Sequence, residues 1–100
     1  MHPTLEALSK LEPGWDSYGA DRILPAALAK AQATLDASDF EPTHIAPMRS
    51  GGLQFEYCSE AFEFELEFTP EGGIVILVSE NIGDIRDEIE IHIPRGKANE

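Results

Sequence analysis

Phe62-Glu63-Phe64-Glu65-Leu66-Glu67-Phe68 alternates apolar and acidic residues without a break. A period of two belongs to a β-strand with one face in a core and one in water, because successive side chains leave the pleat on opposite sides. On a helix the same residues would scatter acids around the whole circumference. The stretch therefore predicts a strand whose phenylalanines face inward, and the rest of the chain can be placed around it.

Upstream, Leu53, Phe55 and Tyr57 alternate with Gln54 and Glu56 in a preceding strand, introduced by a Ser50-Gly51-Gly52 hairpin turn. Thr43 to Met48 reads as a first strand, and Pro47 assigns it to an edge or a bulge because proline has no N–H for a sheet ladder. Downstream, Pro70-Glu71-Gly72-Gly73 turns the chain into Ile74–Val78, a nearly continuous apolar run suited to a central strand or one covered on both faces. A polar connection from Ser79 to Asp87 follows. Ile89, Ile91 and Ile93 then alternate with Glu88, Glu90 and His92 in a last strand, before a basic tail from Pro94.

The period changes before Thr43. Thr4 is the expected N-cap of a short helix carrying Leu5, Leu8 and Leu11 at helical spacing, which Pro13-Gly14 ends. Pro25 opens a second, alanine-rich helix with Ile23, Leu24, Leu28, Ala31 and Leu35 as its inward stripe and Lys30, Gln32 and Asp36 outside. Between them, Trp15 and Tyr18 are expected to fill the gap between helices and sheet, with Asp16 capping a turn. The fold class is α+β: two N-terminal helices followed by a four- to five-stranded, mainly antiparallel sheet with the second helix packed on one face. One domain spans 1–100, with helix at 3–12, ordered loop at 13–22, helix at 24–39, sheet at 43–93 and tail at 94–100.

Charge narrows the functions. The chain holds 19 acidic and 7 basic residues, net −12. Residues 1–50 carry seven acids against four bases and residues 51–100 twelve against three, so the second half alone is at −9. Such a field repels nucleic-acid phosphates and anionic membrane and attracts basic protein surfaces. Direct nucleic-acid and membrane binding are disfavoured. No apolar run approaches the roughly 20 residues of a bilayer span, and Met1 is not followed by a signal-peptide pattern, so the expected location is cytoplasmic. Cys58 has no partner for an internal disulfide and is expected as a small buried hydrophobe.

Strand parity collects the acids. Glu63, Glu65 and Glu67 point one way, about 6.8 Å apart along the strand, and Glu56, Glu88 and Glu90 fall on the same side of neighbouring strands. Like charges facing across strands destabilise a sheet, so the arrangement asks for a reason. Three readings are open: a solvated face that also blocks edge pairing, a docking surface for a basic patch with carboxylates standing in for phosphates, and a metal or acid/base site. Carboxylates on a flat strand face diverge, which weighs against the last. His2, His44 and His92 lie in separate elements without ligand spacing, Ser50-Gly51-Gly52 lacks a phosphate-loop lysine, and no nucleophile sits in a recognisable elbow. No catalytic residue, metal or cofactor is therefore assigned.

Leu11-Glu12-Pro13-Gly14-Trp15-Asp16-Ser17-Tyr18-Gly19-Ala20, then Ile23 and Pro25, resembles a group of small bacterial and phage proteins sharing a motif of this type. Pro47 and Gly51-Gly52-Leu53-Gln54-Phe55-Glu56-Tyr57 resemble their second motif, whose last position is often Trp, so that Tyr57 departs from it. The resemblance covers about residues 8–68. It implies a prokaryotic or phage origin and a loop and hairpin that act as one structural unit, and it carries over no catalytic residue.

The preferred expectation is a non-enzymatic acidic protein-interaction module of antitoxin, immunity or phage-inhibitor type. Its face of Glu56, Glu63, Glu65, Glu67, Glu88 and Glu90 would dock a basic protein surface, such as that of a nucleic-acid-binding protein. The alternatives are a small ligand-binding domain or enzyme using Trp15, Asp16 and Tyr18 with Glu56, and an accessory subunit or homodimer formed through an uncovered side of the sheet or the edge strand near Pro47.

Overall fold

The computed structural model describes residues 1–59, 62–82 and 85–93, except the side chains of 62, 80–82 and 85–90. Two helices, α1 (Pro3–Ser9) and α2 (Pro25–Ala37), precede five strands: β1 (His44–Pro47), β2 (Leu53–Cys58), β3 (Phe62–Phe68), β4 (Ile74–Ile82) and β5 (Ile85–Ile93). Every neighbouring pair is antiparallel and the spatial order follows the chain, β1-β2-β3-β4-β5. The meander predicted from the alternating stretch is thus the observed sheet, with Pro47 on the outer strand β1.

Both helices contribute to one core on one face of the sheet. Leu5 and Leu8 of α1, with Ile23, Ala27, Leu28 and Ala31, close over Leu53, Phe55 and Phe68. Phe55 and Phe68 meet edge to face with ring centroids 4.7 Å apart, a favoured geometry for two quadrupoles. Close approach at this end depends on glycine. A Cβ on Gly52 would stand 2.2 Å from the Phe68 carbonyl oxygen, so only hydrogen fits there. Gly51, with φ of +100°, lets the Met48–Gly52 turn close.

Several expectations are corrected. The cap of α1 is His2, whose Nδ1 accepts from the Thr4 N–H, because Pro3 takes the first helical position. The helix ends at Ser9, not 12, and α2 covers 25–37 within the expected 24–39. Leu24 is the N-cap of α2 and is exposed, so it leaves the inward stripe. Gln32 is not on the outer face: its Oε1 accepts from the His2 N–H and ties the helices together. Ser79–Asp87 is not a connection, since β4 runs to Ile82 and β5 begins at Ile85, with Ser79 to Ile82 paired in register. Backbone pairing carries the ladder through polar residues that a hydropathy pattern reads as loop. Cys58, at the end of β2, is exposed instead of buried. The tail from Pro94 lies outside the described residues.

The loop before α2 is ordered, by a different device from the expected core plug. Tyr18 is 79% exposed and Trp15 is half-buried outside the core cluster, its indole N–H donating to the Asp21 carbonyl. The organising side chain is Asp16. One carboxylate oxygen accepts from the N–H groups of Tyr18 and Ala20, and the other sits 2.6 Å from the Arg49 guanidinium. Arg49 also donates to the Tyr18 carbonyl. Asp21 N–H to the Arg49 carbonyl and Leu24 N–H to the Gly51 carbonyl complete the join between loop and glycine hairpin. Partial burial favours the neutral acid at Asp16, but those two N–H groups and Arg49 outweigh it and hold the carboxyl below its ordinary range.

Candidate functional site

Register builds the acidic face directly. Glu56 of β2 stands opposite Glu65 of β3, Gln54 opposite Glu67, and Cys58 opposite Glu63. Directly opposed residues on one face have Cβ atoms only about 5 Å apart, so Glu56 and Glu65 are forced together by pairing and not by choice of rotamer. Gln54 softens the row slightly by donating its amide to Glu56 at 3.2 Å. None of the ion pairs among the described residues reaches Glu56, Glu65 or Glu67.

The other flank of the row is apolar. Leu77 of β4 lies opposite Glu65 and Val75 opposite Glu67, and Val75 is 8% exposed. The run Ile74–Val78 therefore puts two of its side chains on the glutamate face. Half-buried Glu65 is squeezed between Leu77 and Glu56, and its carboxyl is pushed above the ordinary range, first by desolvation and then by Glu56, Glu67 and Glu63. The face is a strip of carboxylates beside half-buried Leu77, with Val75 buried next to it. The sequence contained this signal, since Val75 and Leu77 share the parity of the glutamates once the β3–β4 turn is set, but a continuous apolar run hides which members point outward.

Glu63, Glu65, Glu67 and Glu56 are thus brought together. On β5 the backbone places Glu90 opposite Leu77 and Glu88 opposite Ser79, while their side chains lie outside the described residues. His92 is opposite Val75. Among the described residues no group of three or more His, Cys, Asp or Glu could hold a metal ion, and no helix is long and apolar enough to cross a membrane.

Trp15, Asp16 and Tyr18 do not join Glu56. The loop is fastened to the glycine hairpin, whereas Glu56 projects with the acidic face further along β2. None of the three loop residues lines either of two grooves formed by described residues. The larger, of about 480 Å³, lies where the end of α2 and residues 38–43 meet β2 and β3, with Phe40, Glu41, Tyr57, Phe64 and Leu66 in its lining. Tyr57 and Phe64 are cross-strand partners stacked with centroids 4.4 Å apart and planes 5° from parallel. Compared with protein-family models, curated proteins and solved structures, the chain matches none.

Proposed function

We propose that this protein is a cytoplasmic, non-enzymatic interaction module that docks a basic surface of a partner protein through the glutamate face. The observation that carries the reading is the crowding at Glu65, which faces Glu56 across the strand pair and whose carboxyl is pushed above its ordinary range by burial and three glutamates. A cation from a partner relieves that crowding. The neighbouring half-buried Leu77 suits the same partner, because arginine and lysine lay their methylene stems on apolar surface and keep the charged head beyond it. Half-buried Leu77 would take a stem while Glu65, Glu56 and Glu67 take the heads. A nucleic-acid-binding protein presents such a basic surface, which fits an antitoxin, immunity or inhibitor role.

The test must separate this face from net charge. In the triple reversal Glu63→Lys, Glu65→Lys, Glu67→Lys, a partner captured at low salt and released at high salt should no longer be retained. The matched reversal Glu6→Lys, Asp36→Lys, Glu71→Lys, at three exposed positions elsewhere, should keep most of the binding. Equal loss from both sets would mean that charge alone attracts the partner, and the docking reading would be lost.

A second reading is favoured by a separate observation on the opposite face. Ile91 and Ile93 on the outer strand β5 are 47% and 45% exposed, so self-association through the open apolar side of the sheet is the alternative. Sedimentation equilibrium of the wild type against Ile91→Thr/Ile93→Thr decides it. A dimer dissociated by the pair supports the reading, and a monomer at every concentration removes it.

A further inference from the structure

The groove at the end of α2 combines three features that converge on one ligand chemistry. Its floor is aromatic and aliphatic, made by the Tyr57–Phe64 stack and Leu66, and Phe40, 76% exposed, stands at its wall. Among the described residues the one charged group in its lining is Glu41, whose side chain is 81% exposed. Its wall is tied in place: the Phe40 N–H donates to Ser38 Oγ, the Thr43 N–H to the Glu56 carbonyl, and the Cys58 N–H to Thr43 Oγ1. The volume of about 480 Å³ falls within the range of small-molecule sites, roughly 300–1,000 Å³.

We propose that this groove binds a small organic cation, an ammonium or guanidinium group carried on an apolar body. Aromatic faces attract cations through their quadrupole, and Glu41 supplies the full negative charge at the rim. The apolar body covers Leu66 and the ring stack, which are half-buried in the free chain. An anion of the same shape is refused by Glu41 and by a net charge of −12. The field of Glu41 is felt inside the groove, where it adds to burial in pushing the Tyr57 hydroxyl above its ordinary range. The described neighbour of Glu41 is His2, with Nε2 at 3.7 Å, a distance a ligand cation can compete with.

Benzamidine, benzamide and benzoate share a ring and a planar head and differ in charge, so they test the proposal by amide NMR titration. Benzamidine should shift the amides of 38–41, 43 and 57–58 saturably. Benzamide should bind several-fold more weakly, and benzoate should leave those amides in place. Glu41→Gln, at an exposed position, should weaken benzamidine about two- to fivefold and leave benzamide unchanged. The triple variant Glu63→Gln, Glu65→Gln, Glu67→Gln should keep the groove shifts, which separates this site from the glutamate face. Phenylalanyl-arginine amide against phenethylamine then distinguishes a peptide source of the cation from a free amine, the tighter ligand naming the source. Equal shifts from benzamidine and benzoate, shifts abolished by the triple variant, or no saturable shift at 38–43 up to ~10 mM benzamidine would each overturn the proposal.

Discussion

Phe68 and Phe64 lie on the same face of the same strand, one helical turn's worth of sequence apart, and their surroundings differ completely. Phe68 is fully buried beneath both helices and against Phe55, while Phe64 is half-buried beside an open groove. Alternation fixes the face a residue occupies, but cover depends on how far the opposing layer reaches. An α-helix is about 10 Å across, and five strands span roughly 19 Å. Helix α2 reaches β2 and β3, so the apolar face beyond them, including Ile91 and Ile93, is left open. One end of the molecule is built for stability and the other offers surface.

Substitution at the two phenylalanines should show the contrast most strongly. Phe68→Ala is expected to cost about 3–5 kcal/mol in urea denaturation, as for fully buried aromatics, and Phe64→Ala about 1–2 kcal/mol. Equal losses would mean that the groove end is covered in solution and would break the comparison. Gly52→Ala follows, at about 1–3 kcal/mol, because its methyl would collide with the Phe68 carbonyl and the backbone must shift. A neutral result would show that the hairpin is not packed on β3 as described.

Asp16→Ala should have a smaller effect, confined to the covered end. Tyr18 and Ala20 amides lose their acceptor, so their hydrogen exchange should accelerate while the amides of β3 keep their protection. The carboxyl is held below its ordinary range, so its contribution is present above the unfolded-state value and is lost as pH falls through the lowered one. Exchange at Tyr18 and Ala20 in the wild type should therefore approach that of the variant only in acid. Unchanged exchange in Asp16→Ala would show that the Trp15 and Asp21 bonds order the loop without it.

Much of this was legible in the residues. Seven alternating positions in β3 identified the sheet, its polarity and the row of glutamates, and the order of elements followed from the change of period before Thr43. Trp15 and Tyr18 were misread because size and hydrophobicity describe what a ring can do, whereas the loop is held by polar pairing between Asp16 and Arg49, which are 33 residues apart and form no local pattern. The extension of β4 and β5 was hidden for a related reason. Ladder hydrogen bonds belong to the backbone, and residues such as Ser79 take part in them without an apolar signature. The groove could not be read at all, because it depends on where α2 stops relative to Tyr57 and Phe64.

Glu65→Gln is expected to have the smallest effect and the opposite sign. Removing one of two directly opposed carboxylates should stabilise the fold by about 0.2–1 kcal/mol at pH 7. The sign with pH follows from proton binding. The folded value lies above the ordinary 4.5, so between the two the native state holds more protons than the unfolded chain, and stability from this group falls as pH rises through that window. The gain from glutamine should accordingly be present at pH 7 and disappear below about 4.5, as read from urea midpoints at the two pH values. A gain that persists in acid would point to packing against Leu77 instead of charge crowding. If the crowding is real, the same substitution should raise stability while weakening a basic partner. Those opposite responses distinguish a face held ready for a cation from one that is merely wet.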